Sequence, residues 1–218
     1  MKHHARLIGI LALAAAASFV ARPAPAADIL SEWASVKIPP APEPKKVTVD
    51  PKTTALLIFD LMKSNCGARP RCPPIVPNVK RLLDQARAHN MLVAYTLVGD
   101  DRTPNGMIDP SLRPREGDFI IQNARGGDKF AESSLNPVLQ AHGIKTVIIT
   151  GTSFQGAVAT SANGATELGY HALVPVDGTA SENAFNELYA AYHVAKGGPA
   201  AFTRNATLTR SDLIDFGK

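Results

Sequence analysis

Apolar runs alternate with amphipathic stretches along the chain from Thr54 onward. The continuous apolar run over residues 55–59 ends at Asp60 and is typical of a strand covered on both faces in a parallel sheet. Further strands are predicted over residues 91–95, 119–121, 146–150 and 172–176. Helices are predicted around the apolar face of Val79, Leu82, Leu83 and Ala86 and over residues 135–141, 156–168 and 183–196.

Strands that alternate with helices in this way form βαβ units with right-handed crossovers. The pattern therefore predicts an α/β protein with a three-layer α/β/α, Rossmann-like fold and a mainly parallel sheet of roughly six strands. The sequence shows no internal repeat. Residues 52–218 are predicted to be one folded domain with a single sizeable core.

Residues 1–26 have the order of a secretory signal peptide. Lys2 and Arg6 precede an apolar run over residues 7–21, and small residues follow it. We expect removal of this segment, which leaves a periplasmic or secreted protein with no membrane segment; because Pro25 lies at the cleavage site, an uncleaved anchor is the alternative. The prolines of residues 27–51 predict an extended, Pro-rich N-terminal arm.

The charge of the chain changes when the signal peptide is removed. The 23 basic residues include Lys2, Arg6 and Arg22, so 20 remain against 19 acidic residues. A nearly neutral domain without a basic stripe and interleaved aromatics does not predict a nucleic-acid partner. We expect a small-molecule substrate instead, and Trp33 of the arm is a candidate to pack on the domain or on a second subunit of a homo-oligomer.

Chemistry in an open α/β sheet is expected at the carboxyl ends of the strands. In this chain those ends carry Asp60, Thr96, residues 122–130, residues 151–157 and Asp177. Asp177 precedes Gly178 and Thr179, which favours a turn or capping role over catalysis.

Cys66 and Cys72 are the two cysteines of the chain. In an oxidising compartment a disulfide between them is the favoured prediction. A redox pair or a metal site is the alternative, but no histidine lies at ligand spacing from them.

Three segments together resemble the isochorismatase-like (cysteine hydrolase) family. They are residues 56–60, residues 118–121 with 127–130 and Leu135, and residues 147–160. The first resembles the strand that delivers the family's catalytic aspartate, the second the segment with its catalytic lysine, and the third the turn that presents its nucleophilic cysteine. The resemblance places Asp60, Lys129 and Ala157 at these positions, so alanine stands where the family has cysteine.

The position of the family lysine has an alternative. Many relatives place it five residues after the position of Asp118, which is Asn123 in this chain. An extra residue within 124–127 would lengthen the loop and bring Lys129 to the site instead.

The resemblance also implies roles for the residues of the turn. In the family, the aspartate takes a proton from cysteine, the lysine stabilises negative charge, and backbone amides form an oxyanion hole. Here Gly156 and Ala157 would supply those amides, and a non-proline cis peptide bond is expected between Thr152 and Ser153. The residues expected to line the pocket are Tyr95, Phe130, Phe154 and Gln155.

Neither a metal nor a cofactor is predicted. Nicotinamidases of the family place Asp and His ligands after the second strand, whereas residues 96–101 here contain no histidine. Ser153 and Cys66 are alternative nucleophiles, but a serine needs an adjacent base, and Cys66 is expected in a disulfide.

Two functional hypotheses follow. In the first, the chain is a hydrolase of a small polar metabolite of the amide or enol-ether type, and Asp60 and Lys129 perform acid–base chemistry without a cysteine. In the second, it is a non-catalytic protein that binds a small ligand or a partner on the same fold. The retained acid and lysine favour the first hypothesis, and Ala157 favours the second.

Overall fold

The computed structural model describes residues 28–99, 102–121, 124 and 126–217. The expected signal peptide and Asn123 lie outside these residues. Among these residues, internal contacts separate two units, one that ends at Pro40 and one that begins at Ala41. In the first unit, α1 (Ile29–Glu32) is a single turn begun by Asp28, whose Oδ1 accepts hydrogen bonds from the amides of Leu30 and Ser31.

The second unit alternates strands with helices, as the hydrophobic pattern predicts. Its helices are α2 (Lys63–Cys66), α3 (Val76–Ala88), α4 (Leu135–Ala141), α5 (Ala159–Glu167), α6 (Ala184–Tyr192) and α7 (Ala200–Asn205). Its strands are β1 (Val47–Thr48), β2 (Thr54–Phe59), β3 (Leu92–Thr96), β4 (Phe119–Ile120), β5 (Thr146–Thr152), β6 (His171–Pro175), β7 (Thr179–Ala180), β8 (Ala206–Thr209) and β9 (Ile214–Asp215).

The main sheet is parallel and has seven strands within the described part of the chain. Six of them follow the order β4-β3-β2-β5-β6-β8, and β7 pairs with the end of β5. The prediction of an α/β fold with a mainly parallel sheet is confirmed. The sheet exceeds the predicted size because β7 and β8 are short strands that the hydrophobic pattern does not single out.

The core lies on both faces of this sheet. Alternate residues of β2 point to opposite sides, so Leu57 and Phe59 join one apolar cluster while Leu56 and Ile58 join another. The apolar face of α3 belongs to the second cluster, and buried residues of α4, α5 and α6 belong to the first. Every residue of β2 is buried, as expected for a strand between two helical layers.

The predicted arm over residues 27–51 is shorter in the structure. Val47 and Thr48 form β1, which pairs in parallel with β9, and the amide of Lys45 donates to Leu208 O at 2.9 Å. Residues 41–51 therefore belong to the folded unit, because their backbone donors find partners near the C-terminus.

The predicted helix over residues 156–168 also differs at its start. A wide π turn over Phe154–Val158 comes first, with Gly156 at non-helical angles, and regular helix begins at Ala159. No helix in the described ranges is long and apolar enough to cross a membrane.

Candidate active site

Asp60 follows β2 directly and has a left-handed backbone, with φ at 57°. A residue with a Cβ atom adopts this conformation at a cost of about 1 to 2 kcal/mol, so its surroundings must hold it there. The amide of Asp60 donates to Thr96 O at 3.1 Å, and Asn65 Nδ2 donates to Asp60 O at 2.9 Å. These bonds tie the residue to β3 and α2 and fix where its carboxylate points.

The carboxylate of Asp60 contacts the ammonium group of Lys129 inside the protein. Lys129 Nζ lies 2.8 Å from Asp60 Oδ2, and the two side chains are 2% and 7% exposed. Thr96 Oγ1 donates to Asp60 Oδ1 at 2.6 Å, and Lys129 Nζ also donates to Ala124 O at 3.3 Å. Both charged groups are thus paired and hydrogen-bonded, which a buried ion pair requires.

Burial raises the pKa of the Asp60 carboxyl above its ordinary value of 3.8. The charge and hydrogen bond of Lys129, the hydroxyl of Thr96 and the charge of Arg69 act in the opposite direction. A carboxyl whose protonated and ionised forms lie closer in free energy can both give and take a proton near neutral pH.

The segment that carries Lys129 packs on the first turn of α5. The amide of Lys129 donates to Ser161 Oγ at 2.8 Å, and Ser161 Oγ donates to Gly127 O at 3.3 Å. A Cβ atom at Gly164 would lie 2.6 Å from Asp128 Oδ2, so the absence of a side chain there lets the segment approach. Ser161 comes four residues after Ala157, so the start of α5 connects the segment of Lys129 with the turn that carries Ala157.

Ala157 lies in the π turn that follows β5. The strand ends in a cis peptide bond between Thr152 and Ser153. Ala157 is 7% exposed, and its side chain is a methyl group with no nucleophilic atom. Because β5 pairs with β2 as far as Gly151 and Phe59, the turn begins beside Asp60 at the carboxyl edge of the sheet.

The amide of Gly156, which was expected to bind an anion, has a partner within the turn. Its amide donates to Ser153 O at 3.1 Å and is engaged within the turn itself. The amide of Val158 donates to the same carbonyl at 3.2 Å. The π turn folds these two donors back onto Ser153, whereas a regular helix N-terminus would leave them exposed to a ligand. The anion-binding role of Gly156 and Ala157 stays a prediction.

Neither alternative nucleophile is activated. Ser153 Oγ makes no hydrogen bond to a basic side chain among the residues that the structure describes. Cys66 is bonded to Cys72 in a disulfide with a Cα–Cα distance of 5.5 Å, so it has no free thiol.

The four predicted pocket residues are placed in three different surroundings. Phe130 and Phe154 are buried in the apolar cluster with α4 and α5. Tyr95 lies in the cluster with α3, and its hydroxyl is 3.4 Å from Arg87 Nη2. Side chains alternate along β3, so Thr96, rather than Tyr95, reaches Asp60.

The fourth, Gln155, belongs to a polar network that sequence analysis missed. Gln155 Nε2 donates to Glu182 Oε2 at 2.8 Å, and Arg69 Nε lies 2.8 Å from Glu182 Oε1. Arg69 in turn donates to Asn65, whose amide group holds Asp60 O. The network links the loop after β2 to the turn of Ala157, and the position of Arg69 between two cysteines was its one signal in the sequence.

Asp177 caps a neighbouring segment. Its carboxylate accepts hydrogen bonds from the amide and the hydroxyl of Ser211, at 2.8 and 2.6 Å. This contact ties the end of β6 to the C-terminal segment, in keeping with a structural role.

Within the described ranges, no group of three or more His, Cys, Asp and Glu side chains is placed to hold a metal ion. The arrangement at the end of β2 is therefore an acid and an ammonium group in a buried pair, close to a turn that carries alanine.

Comparison with known proteins identifies the family of the chain. Residues 54–206 match the isochorismatase domain family, and they include Asp60, Lys129 and Ala157. The chain belongs to the isochorismatase family. Family members with a named activity are hydrolases, so the chain belongs to a family of hydrolytic enzymes.

Relatives of the chain are distant in sequence. An uncharacterized isochorismatase family protein, YwoC of Bacillus subtilis, is 26% identical over 60% of this chain and 79% of its own length. Streptothricin hydrolase of Streptomyces noursei is 25% identical over 70% of this chain and 57% of its own length. The secreted isochorismatase effector Isc1 of Verticillium dahliae is 26% identical over 46% of this chain and 57% of its own length.

Solved structures share the fold. The nicotinamidase of Staphylococcus aureus superposes with a TM-score of 0.62 at 19% identity, over 73% of this chain and 99% of its own. At this identity the likeness concerns the fold alone.

Proposed function

We propose that the chain hydrolyses a small polar metabolite of the amide or enol-ether type, with water as the nucleophile and Asp60 as the proton carrier. The observation that carries the proposal is the buried contact between Asp60 Oδ2 and Lys129 Nζ, at 2.8 Å, in a site whose nucleophile position is Ala157. Because alanine forms no covalent intermediate, attack falls to water.

On an enol ether, protonated Asp60 gives its proton to the alkene carbon, and water adds to the oxocarbenium carbon that results. The added water returns one proton to the Asp60 carboxylate, and the hemiketal breaks down to a carbonyl compound and an alcohol. On an amide, the Asp60 carboxylate takes a proton from water as it attacks the carbonyl carbon and passes that proton to the leaving amine. Lys129 balances the charge of Asp60 whenever the carboxyl is ionised.

The test is a panel of amides, lactams and enol ethers offered to purified residues 27–218. Replacement Asp60→Asn should lower kcat/KM by about 100-fold or more, the range for loss of a general acid or base. Asp177→Asn is the matched control, since Asp177 also follows a strand at this edge of the sheet and binds Ser211. If no member of the panel is hydrolysed while ligands still bind, the chain is a non-catalytic protein that binds a small ligand. The absence of a nucleophile at Ala157 fits that alternative as well.

We further propose that the protein is exported, with residues 1–26 as its signal peptide. The order of basic, apolar and small residues supports this, and a relative bears the name of a secreted effector. Expression of the full chain in a Gram-negative host should yield a periplasmic protein that begins at Ala27. A protein that stays in the cytoplasm with Met1 intact would contradict export.

A further inference from the structure

Arg69 is held in a small closed loop next to the site. The loop is joined by the disulfide between Cys66 and Cys72. Inside it, the amide of Arg69 donates to Cys66 O and the amide of Cys72 donates to Arg69 O, each at 2.9 Å. The backbone of Arg69 is thus fixed from both sides, and its side chain is only 20% exposed.

Three of the five N–H donors of the Arg69 guanidinium have partners. Nε pairs with Glu182 Oε1 at 2.8 Å. Nη1 donates to Asn65 O at 2.6 Å and also to Asn65 Oδ1. Nη2 makes no hydrogen bond or ion pair with any residue that the structure describes, so among those residues two donors have no partner.

Glu182 does not use these remaining donors. Its Oε1 accepts from Arg69 Nε, and its Oε2 accepts from Gln155 Nε2 at 2.8 Å and Asn186 Nδ2 at 3.2 Å. Burial opposes the charge of Glu182, but the hydrogen bonds of Gln155, Asn186 and Arg69 lower its pKa to about 2. The carboxylate thus stays charged and holds the guanidinium in place by one edge.

Arg69 is also linked to Asp60 through Asn65. Asn65, which accepts from Arg69 Nη1, donates to Asp60 O at 2.9 Å. The charge of Arg69 partly offsets the rise that burial causes in the pKa of Asp60. A guanidinium linked to Asp60 through Asn65, with one nitrogen unpaired among the described residues, is suited to bind an anionic group of the molecule on which Asp60 acts.

We propose that Arg69 Nη2 binds a carboxylate of the substrate, so that the site selects small carboxylic acids over their neutral counterparts. This inference rests on the proposed function, because only that proposal makes the bound molecule a substrate. The disulfide and Glu182 act as positioning groups, because they fix the loop and one edge of the guanidinium.

The experiment measures binding of two matched pairs of probes, succinamate with succinamide and benzoate with benzamide, by titration calorimetry on residues 27–218. The unchanged protein should bind each carboxylate about ten-fold more tightly than its amide, the size of one charge-assisted hydrogen bond. Arg69→Met should abolish this preference and leave the amide Kd unchanged. Arg69→Lys should restore part of it, because the charge returns without the planar fork.

Arg71→Met is the control, since Arg71 lies in the same loop and pairs with Glu187 instead. It should leave the preference intact. The proposal is overturned if the unchanged protein shows no preference, if Arg69→Met weakens carboxylates and amides equally, or if Arg71→Met has the same effect.

Binding needs no turnover, so the two proposals fail separately. An Arg69-dependent carboxylate preference in a protein without hydrolytic activity refutes the proposed function and keeps the anion site. Hydrolysis that is indifferent to Arg69 refutes the anion site alone.

Discussion

Gly151 on β5 packs against the backbone of Phe59 on β2 so closely that a Cβ atom at Gly151 would lie 2.0 Å from Phe59 O. Its φ of 117° is also one that side chains rarely allow. The contact brings the turn that carries Ala157 against the strand that delivers Asp60. The two halves of the candidate site therefore depend on a position without a side chain.

Replacement Gly151→Ala should destabilise the fold by about 3 kcal/mol or more, because the backbone clash adds to the strain of a positive φ. Gly143→Ala is the control, since Gly143 also has a positive φ but has no atom within 4 Å of an added Cβ. It should cost only about 1 to 2 kcal/mol. Urea unfolding measures both, and equal losses would show that the contact with Phe59 is unimportant.

The Asp60–Lys129 pair leads to a prediction on stability and pH. Lys129→Met leaves a buried carboxylate without its ion-pair partner, which costs about 3 to 5 kcal/mol for comparable pairs. Lys129 lowers the pKa of Asp60, so its loss raises that pKa further. A raised carboxyl pKa favours the protonated folded state, so the variant should lose stability as pH rises from 4 towards 7.

Unfolding free energies at pH 4 and pH 7 test this prediction. Lys80→Met is the comparison, because Lys80 forms an exposed pair with Asp84 and such pairs contribute about 0 to 1 kcal/mol. The same loss at both pH values in Lys129→Met would contradict a buried pair that depends on the charge of Asp60.

The contribution of Glu182 to stability depends on pH in the opposite direction to that of Asp60 in Lys129→Met. Its pKa is lowered from 4.5 to about 2, so its charge stabilises the fold fully above pH 4.5, and this contribution is lost as pH falls towards 2. Glu182→Gln should therefore flatten the decline in stability over that range. Thermal unfolding across pH 2 to 5 measures the slope, with Glu116→Gln as the comparison for loss of one exposed negative charge. If Glu182→Gln leaves the slope of stability against pH unchanged, the hydrogen bonds of Glu182 with Arg69 and Gln155 do not stabilise the protein in solution.

The hydrophobic pattern predicted the centre of the fold well and its edges poorly. Buried runs such as that of β2 are unambiguous, since five of its six residues are apolar and the chain has few other ways to bury them. The strand β8 is short and alternates alanine or leucine with threonine, so its pairing with β6 depends on the neighbour and not on its own sequence. The π turn before α5 was missed for a similar reason, because turn geometry leaves no mark in hydrophobic periodicity.

For the site, the family resemblance proposed Asp60 and Lys129. For Arg69 the sequence offered only its position between two cysteines, and it offered nothing for the pairing of Arg69 with Glu182. These two residues are 113 positions apart, and only the fold brings them together. For Gly156, the anion-binding role was inferred by analogy with a helix N-terminus. In the structure its amide donates to Ser153 O within the turn, which the sequence did not predict.

The last prediction concerns Ala157→Cys. The methyl group of Ala157 lies in the turn at which the resemblance to the family predicts a nucleophile, four residues before Ser161, which accepts from the amide of Lys129. A thiol introduced there adds one sulfur atom to a site that already has an acid and an ammonium group. We expect the charge of Lys129 to favour the thiolate, so the introduced group should react with iodoacetamide about ten-fold faster than the same thiol in a protein without Lys129.

The comparison variants are Ala157→Cys combined with Lys129→Met, which should slow alkylation, and Thr160→Cys as a reference thiol on the first turn of α5. The native cysteines do not interfere, since both are in the disulfide. Mass spectrometry of the alkylated protein gives the rates. The prediction is contradicted if the thiol at position 157 reacts no faster than the reference and if its rate is the same with and without Lys129. In that case Lys129 does not act on position 157, and the proposed site loses the group that balances its charge.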